Sequence, residues 1–191
     1  MNTSYAKVRD QLNQKGCGFC LAKWTQVTMH LGVGLTHSCH HPVQHKIPLA
    51  ELKRNPSALH NTRYKKLKRK EMLEGKRPAE CNYCWNIEDN SNAFSDRTFK
   101  SAEPWSLDQM EKIKTSNWRD NYNPRYVQVS FSNTCNLKCR SCNTNYSSKW
   151  REEAIDRNVP FWEIETEIDM MDEERSKFWT DIKNWTGDIL R

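Results

Sequence analysis

The feature that most constrains this 191-residue chain is the spacing of its eight cysteines. Cys17 and Cys20 form one C-x2-C, Cys39 stands alone, Cys81 and Cys84 form a second C-x2-C, and Cys135, Cys139 and Cys142 form a C-x3-C-x2-C. What such groups do depends on the compartment. No run approaches the roughly 18 apolar residues of a membrane span, and the stretch from Met1 to Gln14 is polar, without the apolar core of a signal peptide. The chain therefore reads as cytoplasmic, with no membrane partner. There structural disulfides are rare, and clustered cysteines serve as metal ligands or catalytic thiols. A composition 36% hydrophobic and 28% charged, with eight tryptophans, excludes disordered, collagen-like and linker classes and fits one domain or two small ones.

Local pattern places the cysteines on elements. The loose alternation from Leu21 to Val33 predicts a strand pair bending at Gly32 and Gly34, with Cys20 before the hairpin and Cys39 after it. A short helix from Leu49 to Arg54 stops at Asn55-Pro56. Ser57 is the expected N-cap of a longer helix reaching Glu74, with Gly75 as its C-cap, and Cys81 and Cys84 fall in the loop beyond. From Asp89 to Asn123 the chain is polar and reads as a connector with one helical candidate, Leu107 to Ser116. Tyr126 to Phe131 has the β-branched and aromatic content of a strand; the three-cysteine loop and a helix from Tyr146 to Arg157 follow. Asp172 is placed to cap a helix to Trp185, and Ile189-Leu190 to begin another strand.

Charge is uneven. Residues 1–150 carry 24 Lys/Arg against 12 Asp/Glu, and residues 151–191 carry 6 against 12, so a net +6 splits into +12 and −6. The basic excess is densest from Arg63 to Lys70. Such a run can meet nucleic-acid phosphates, but the expected arrangement is a solvated helix face with Tyr64, Leu67, Met72 and Leu73 turned inward.

Three thiolates on one short loop can face three irons of a cubane and leave the fourth open, and a loop between a strand and a helix is where barrel enzymes carry their active sites. The segment Val129-Ser130-Phe131-Ser132-Asn133-Thr134-Cys135-Asn136-Leu137-Lys138-Cys139-Arg140-Ser141-Cys142 resembles the cluster motif of the radical S-adenosylmethionine superfamily. The resemblance implies a [4Fe-4S] cluster on Cys135, Cys139 and Cys142. Its free iron would bind the amino and carboxylate groups of S-adenosylmethionine and pass the electron that cleaves the sulfonium to a 5′-deoxyadenosyl radical. The superfamily usually has an aromatic residue before the last cysteine; here Ser141 stands there.

Upstream, Cys20-x3-Trp24, the glycine-bearing hairpin, Cys39, and Cys81-Asn-Tyr-Cys84-Trp85 with Glu88 resemble the auxiliary-cluster modules called SPASM and twitch domains. That resemblance implies a second [4Fe-4S] cluster closed by Cys20, Cys39, Cys81 and Cys84, with Cys17 spare. Ligand chemistry alone allows Zn2+ equally, with His37, His40, His41 and His45 as substitute ligands. Trp24 and Trp85 are expected to pack around the site.

The expected architecture is therefore α/β: a small α+β cluster-binding module over residues 1–90, a connector over 91–124, and over 125–191 the first β/α unit of a partial (β/α)6 radical barrel. The resemblance also implies a Gly-Gly-Glu-type segment on the second strand, holding the methionine amine; no Gly-Gly pair occurs and Ile189-Leu190 stands where that strand would begin, so the chain is expected to be the N-terminal part of a longer enzyme, inactive by itself. The whole enzyme would modify a peptide, protein or other substrate with the help of an electron donor, and nucleic acid has no part in it. The alternatives are a zinc-bearing nucleic-acid-binding protein and an inactive fragment.

Overall fold

The computed structural model describes residues 4–31, 34–144 and 146–160. The expected C-terminal helix from Asp172 and strand at Ile189-Leu190 lie outside them, as do Gly32 and Val33 at the tip of the hairpin. The N-terminal helix α1 (Tyr5–Lys15) buries Val8 and Leu12, one turn apart on one face, and stops at Gly16, whose N–H donates to the Leu12 carbonyl at 3.2 Å. The strand expected from Leu21 begins only at Gln26. Leu21 caps a helical turn, α2 (Ala22–Thr25), which sends Leu21 and Trp24 into one core; the alternation then holds through β1 (Gln26–His30).

β1 pairs antiparallel with β2 (Leu35–His37), and β2 antiparallel with β3 (His45–Lys46). Val27, Met29 and Leu31 fill a second core with Ile47, Leu59 and Leu52, the last from α3 (Leu49–Arg54), which ends at Asn55 before Pro56 as expected. A 3-10 turn over Pro56–Leu59 and three buried residues, His60, Asn61 and Thr62, intervene before α4 (Arg63–Leu73). The cap is thus Thr62, whose hydroxyl accepts the Lys65 N–H at 3.2 Å, and not Ser57. Met72 and Leu73 turn inward as expected, but in the earlier turns of α4 it is Lys65 and Arg69 that are buried, while Tyr64 and Leu67 stay about 40% exposed. The polar interior explains this. Lys65 donates to the Thr36 hydroxyl and the His37 carbonyl, and Arg69 to the Lys23 carbonyl and the Asn61 side chain. The helix closes in a Schellman turn, with Gly75 at φ +77, its N–H on the Met72 carbonyl and the Lys76 N–H on the Glu71 carbonyl.

Beyond it, α5 (Asn82–Asn90), α6 (Asp96–Ala102), α7 (Pro104–Leu107) and α8 (Met110–Lys114) follow. The stretch 91–124 is therefore more than a connector. Met110, Ile113 and Tyr122 join Val8, Phe19, Trp24 and Trp85 in the first core. The chain then returns as β4 (Tyr126–Ser130), in parallel register with β1 from Gln26↔Tyr126 to His30↔Ser130, and ends its described course in α9 (Ser148–Asp156). The sheet order is β3-β2-β1-β4. Among the described residues this is one open mixed sheet and no barrel. β4, expected to open a separate barrel, is the edge strand beside the upstream hairpin, and Val127, Val129 and Phe131 pack on the hairpin's core. No helix among the described residues is long and apolar enough to cross a membrane.

Candidate metal centre

Four cysteines from three segments far apart in sequence converge between α2, α5 and α6. Cys20, Cys39, Cys81 and Cys84 line one small cavity together with Lys23, His41, Trp85 and Arg97. Cys17 is exposed, its Sγ directed at the Gly75 carbonyl. What separates the two halves of the first C-x2-C is packing. A Cβ on Gly18 would stand 1.9 Å from the Lys76 carbonyl oxygen, so the turn after α4 presses directly on the chain just before Cys20. On the other side, α6 fixes the same segment through Arg97, which donates to the Phe19 carbonyl at 3.1 Å, and Ser101, whose hydroxyl accepts the Leu21 N–H. Cys81 ends a 3-10 turn (Ala79–Cys81) and Cys84 lies in the first turn of α5, so the second C-x2-C sits on helical backbone instead of in a loop. The Trp85 indole closes this turn by donating to the Pro78 carbonyl at 2.9 Å.

Burial pushes all four thiols above the ordinary range; neighbouring cysteines add to it at Cys20, Cys81 and Cys84, the carboxylates of Asp96 and Glu80 at Cys39, and Cys84 is pushed up to about 11. Each sulfur nevertheless has a group beside it that favours the thiolate. Lys23 lies within reach of Cys81, the Arg97 amide and the Ser95 hydroxyl serve Cys84, the His41 amide serves Cys39, and the Arg97 charge acts on Cys20. Desolvated thiols ringed by cations and N–H donors suit a bound cation that takes their protons' place. Among the described residues, no three His, Cys, Asp or Glu side chains converge closely enough to hold a single metal ion. A cluster spreads its ligands more widely, because each thiolate takes its own iron. The void between them is about 20 Å3, room for roughly one water.

Of the four histidines considered as substitutes, His41 borders the cavity, where its Nε2 donates to the Asp96 carboxylate at 2.8 Å and its ring stacks on Tyr83 at 3.6 Å. His37 faces His30 at 3.3 Å and His45 faces the Thr62 hydroxyl at 3.0 Å. Burial pushes His37 down to about 4 and His45 to about 3, so both are neutral. Trp24 and Trp85 are core residues.

The C-x3-C-x2-C lies where the sequence places it, between β4 and α9, but its thiols belong to one surface loop. Cys139 is exposed, Cys135 and Cys142 half-buried. The loop is folded onto the start of α9. The Ser147 hydroxyl caps the helix by accepting from the Trp150 N–H and donates to the Leu137 carbonyl at 2.7 Å. The Ser148 hydroxyl accepts the Cys135 N–H, and the Trp150 indole donates to the Cys139 carbonyl at 3.0 Å. An open cavity of about 590 Å3 borders this loop, lined by Arg140, Cys142, Asn143, Trp150 and Arg157 among others, within the usual range for a small-molecule site.

Sequence reasoning passed over Lys23, Ser95 and Arg97 at the four-thiol site and Trp150 at the loop. The signal available was slight: a lysine three residues after Cys20, and a Ser-Asp-Arg in a stretch read as a connector. No protein-family model, curated protein or solved structure matches this chain.

Proposed function

We propose that the chain is an iron–sulfur protein of the radical S-adenosylmethionine type, with two [4Fe-4S] sites of different construction. Cys20, Cys39, Cys81 and Cys84 close an auxiliary cluster; Cys135, Cys139 and Cys142 hold a cluster with an open iron, and β4, the loop and α9 are the first β/α unit of a partial (β/α)6 barrel. The observation that carries this reading is the convergence of Cys20, Cys39, Cys81 and Cys84 on one cavity that excludes Cys17. The clusters, when bound, supply electron transfer and, at the open iron, reductive cleavage of S-adenosylmethionine. This chain's residues hold the thiolates, orient the loop through Ser147 and Ser148, and offer the cavity beside Arg140, Trp150 and Arg157 for the cofactor. The substrate class proposed is a peptide, protein or other molecule open to radical modification, with a cytoplasmic one-electron donor as partner.

Anaerobic reconstitution with iron and sulfide tests the assignment. Two clusters per chain are expected, with Cys39→Ala and Cys139→Ala each losing one. An iron and sulfide content unchanged by either substitution rejects the corresponding ligand set. The alternative at the four-thiol site is Zn2+, which four thiolates bind equally well by ligand chemistry but which would have to draw the thiols closer together than they stand here. Stoichiometric zinc that iron and sulfide cannot displace would establish it. Of the basic run, Lys65 and Arg69 are inside the protein, which leaves Arg63, Lys66, Lys68 and Lys70 toward solvent for the nucleic-acid reading.

A further inference from the structure

Lys23 is a buried cation, 2% exposed, in the wall of the four-cysteine cavity. It sits on α2, three residues after Cys20, and the short helix turns it back toward the second C-x2-C. There its ammonium pairs with Glu80, whose side chain is 6% exposed and which immediately precedes Cys81. Glu80 is in turn approached by the Tyr64 hydroxyl from α4. The two side chains are buried together as an ion pair. A surface pair of this kind would be worth little, whereas a buried one keeps a fixed charge at a fixed place in a medium of low dielectric. Of the two, Lys23 lines the cavity that Cys20, Cys39, Cys81 and Cys84 share and Glu80 does not, so the base is the member of the pair turned to the thiols.

We propose that Lys23 is a positioning residue for electron transfer at the four-cysteine site, its buried ammonium raising the reduction potential of the bound cluster, with Glu80 as the counter-charge that limits this effect. The proposal rests on the reading of that site as an iron–sulfur centre. One electron from an external one-electron donor enters the cluster without making or breaking a bond, and the four-thiolate cluster passes from a dianion to a trianion. A cation beside a ligating sulfur stabilises the trianion more than the dianion, and net charge and hydrogen bonds to the sulfurs are levers that set such potentials. The pair as a whole is neutral, but its positive end lies in the wall of the cavity that the thiols share. Removing the pair therefore lowers the potential, and removing Glu80 alone raises it.

The test uses the full chain carrying Cys135→Ala, Cys139→Ala and Cys142→Ala, so that only the four-cysteine site takes up iron. After anaerobic reconstitution, the midpoint potential is read by dithionite titration of the visible absorbance and the low-temperature EPR signal. Lys23→Met with Glu80→Gln, which removes both charges at nearly constant volume, is expected to shift the midpoint downward, and Glu80→Gln alone upward. Loss of the cluster from the double variant, with the upward shift in Glu80→Gln, supports the same role. Equal midpoints in all three proteins at equal iron content, or shifts of one sign in both variants, overturn the proposal while leaving the iron–sulfur reading in place. A parent protein that takes up no iron and sulfide overturns that reading and the proposal with it.

Discussion

The two cysteine regions are assembled by opposite means. Cys20, Cys39, Cys81 and Cys84 come from segments up to 64 residues apart and meet in a cavity only because α1, α4, α5 and α6 share a core. Cys135, Cys139 and Cys142 come from eight consecutive residues, and a few hydroxyl and indole contacts to one helix hold their loop on the surface. The first site is a property of the fold, so damage to it is damage to the protein. The second is a property of a loop and can be altered while the fold stands. Burial separates them chemically as well: an enclosed set of thiolates suits a closed cluster, and a loop with a cavity at its side suits an open one.

The largest expected effect lies at Arg97. Its guanidinium grips Glu88 with two bonds at 2.8 and 2.9 Å, reaches Asn13 of α1 at 2.9 Å, and holds the carbonyl next to Cys20. Arg97→Met strands the mostly buried Glu88 and is expected to cost about 3–5 kcal/mol, read as a lower urea midpoint, together with loss of metal from the four-cysteine site. Arg140→Met, on the exposed loop, is expected to leave the urea midpoint unchanged. If the two substitutions cost the same, the contrast between a fold-built and a loop-built site is wrong.

Next comes the response to alkali. Because burial raises the folded-state thiols above their unfolded value of about 9, the metal-free protein binds more protons folded than unfolded in that window. Their contribution is complete below pH about 9 and is lost as pH rises toward the folded values, about 11 for Cys84. The metal-free chain should therefore lose stability steadily above pH 9 in denaturant titrations, and Cys84→Ser should flatten that slope. In the metal-loaded protein the thiols are already deprotonated, so the part of the alkaline loss that Cys84→Ser removes should vanish, while the part from Tyr122, which burial pushes up to about 12, stays. A Cys84-dependent slope that survives metal loading would show that the metal is held elsewhere.

The smallest effect is local. Ser147→Ala removes the cap of α9 and the bond to the Leu137 carbonyl, for about 1 kcal/mol of helix stability. It is expected to speed amide exchange in the loop and the first turn of α9, and to leave exchange in α4 and α5 as it was. Faster exchange in both regions would show that the loop and the core are mechanically one unit.

The sequence made some of this legible and hid the rest for physical reasons. Proline and glycine punctuation located α3 and the end of α4, and β-branched alternation located β4 and the face of β1 that carries Val27 and Met29. α2 was hidden because Trp24, Val27 and Met29 also fit a strand when its start is set at Leu21. The inward face of α4 was hidden because periodicity reads apolar residues, whereas here two cations go inside to meet Thr36, Asn61 and backbone carbonyls. The helices of 91–124 were hidden in the same way, since much of their packing runs through Arg97, Thr98, Ser101 and Ser106, all buried and all polar. Spacing identified the cysteines but could not choose between Cys17 and Cys20, a choice made by the close approach of Gly18 to Lys76.

The most direct test of two sites of different construction is the low-temperature EPR spectrum of the reduced, reconstituted chain before and after addition of S-adenosylmethionine. The expected result is two overlapping signals, of which only the one absent from Cys139→Ala changes when the compound is added, while the one absent from Cys39→Ala stays as it was. A spectrum in which both signals respond, or neither does, or in which one substitution abolishes both, would contradict the division of these seven cysteines into a closed set and an open one.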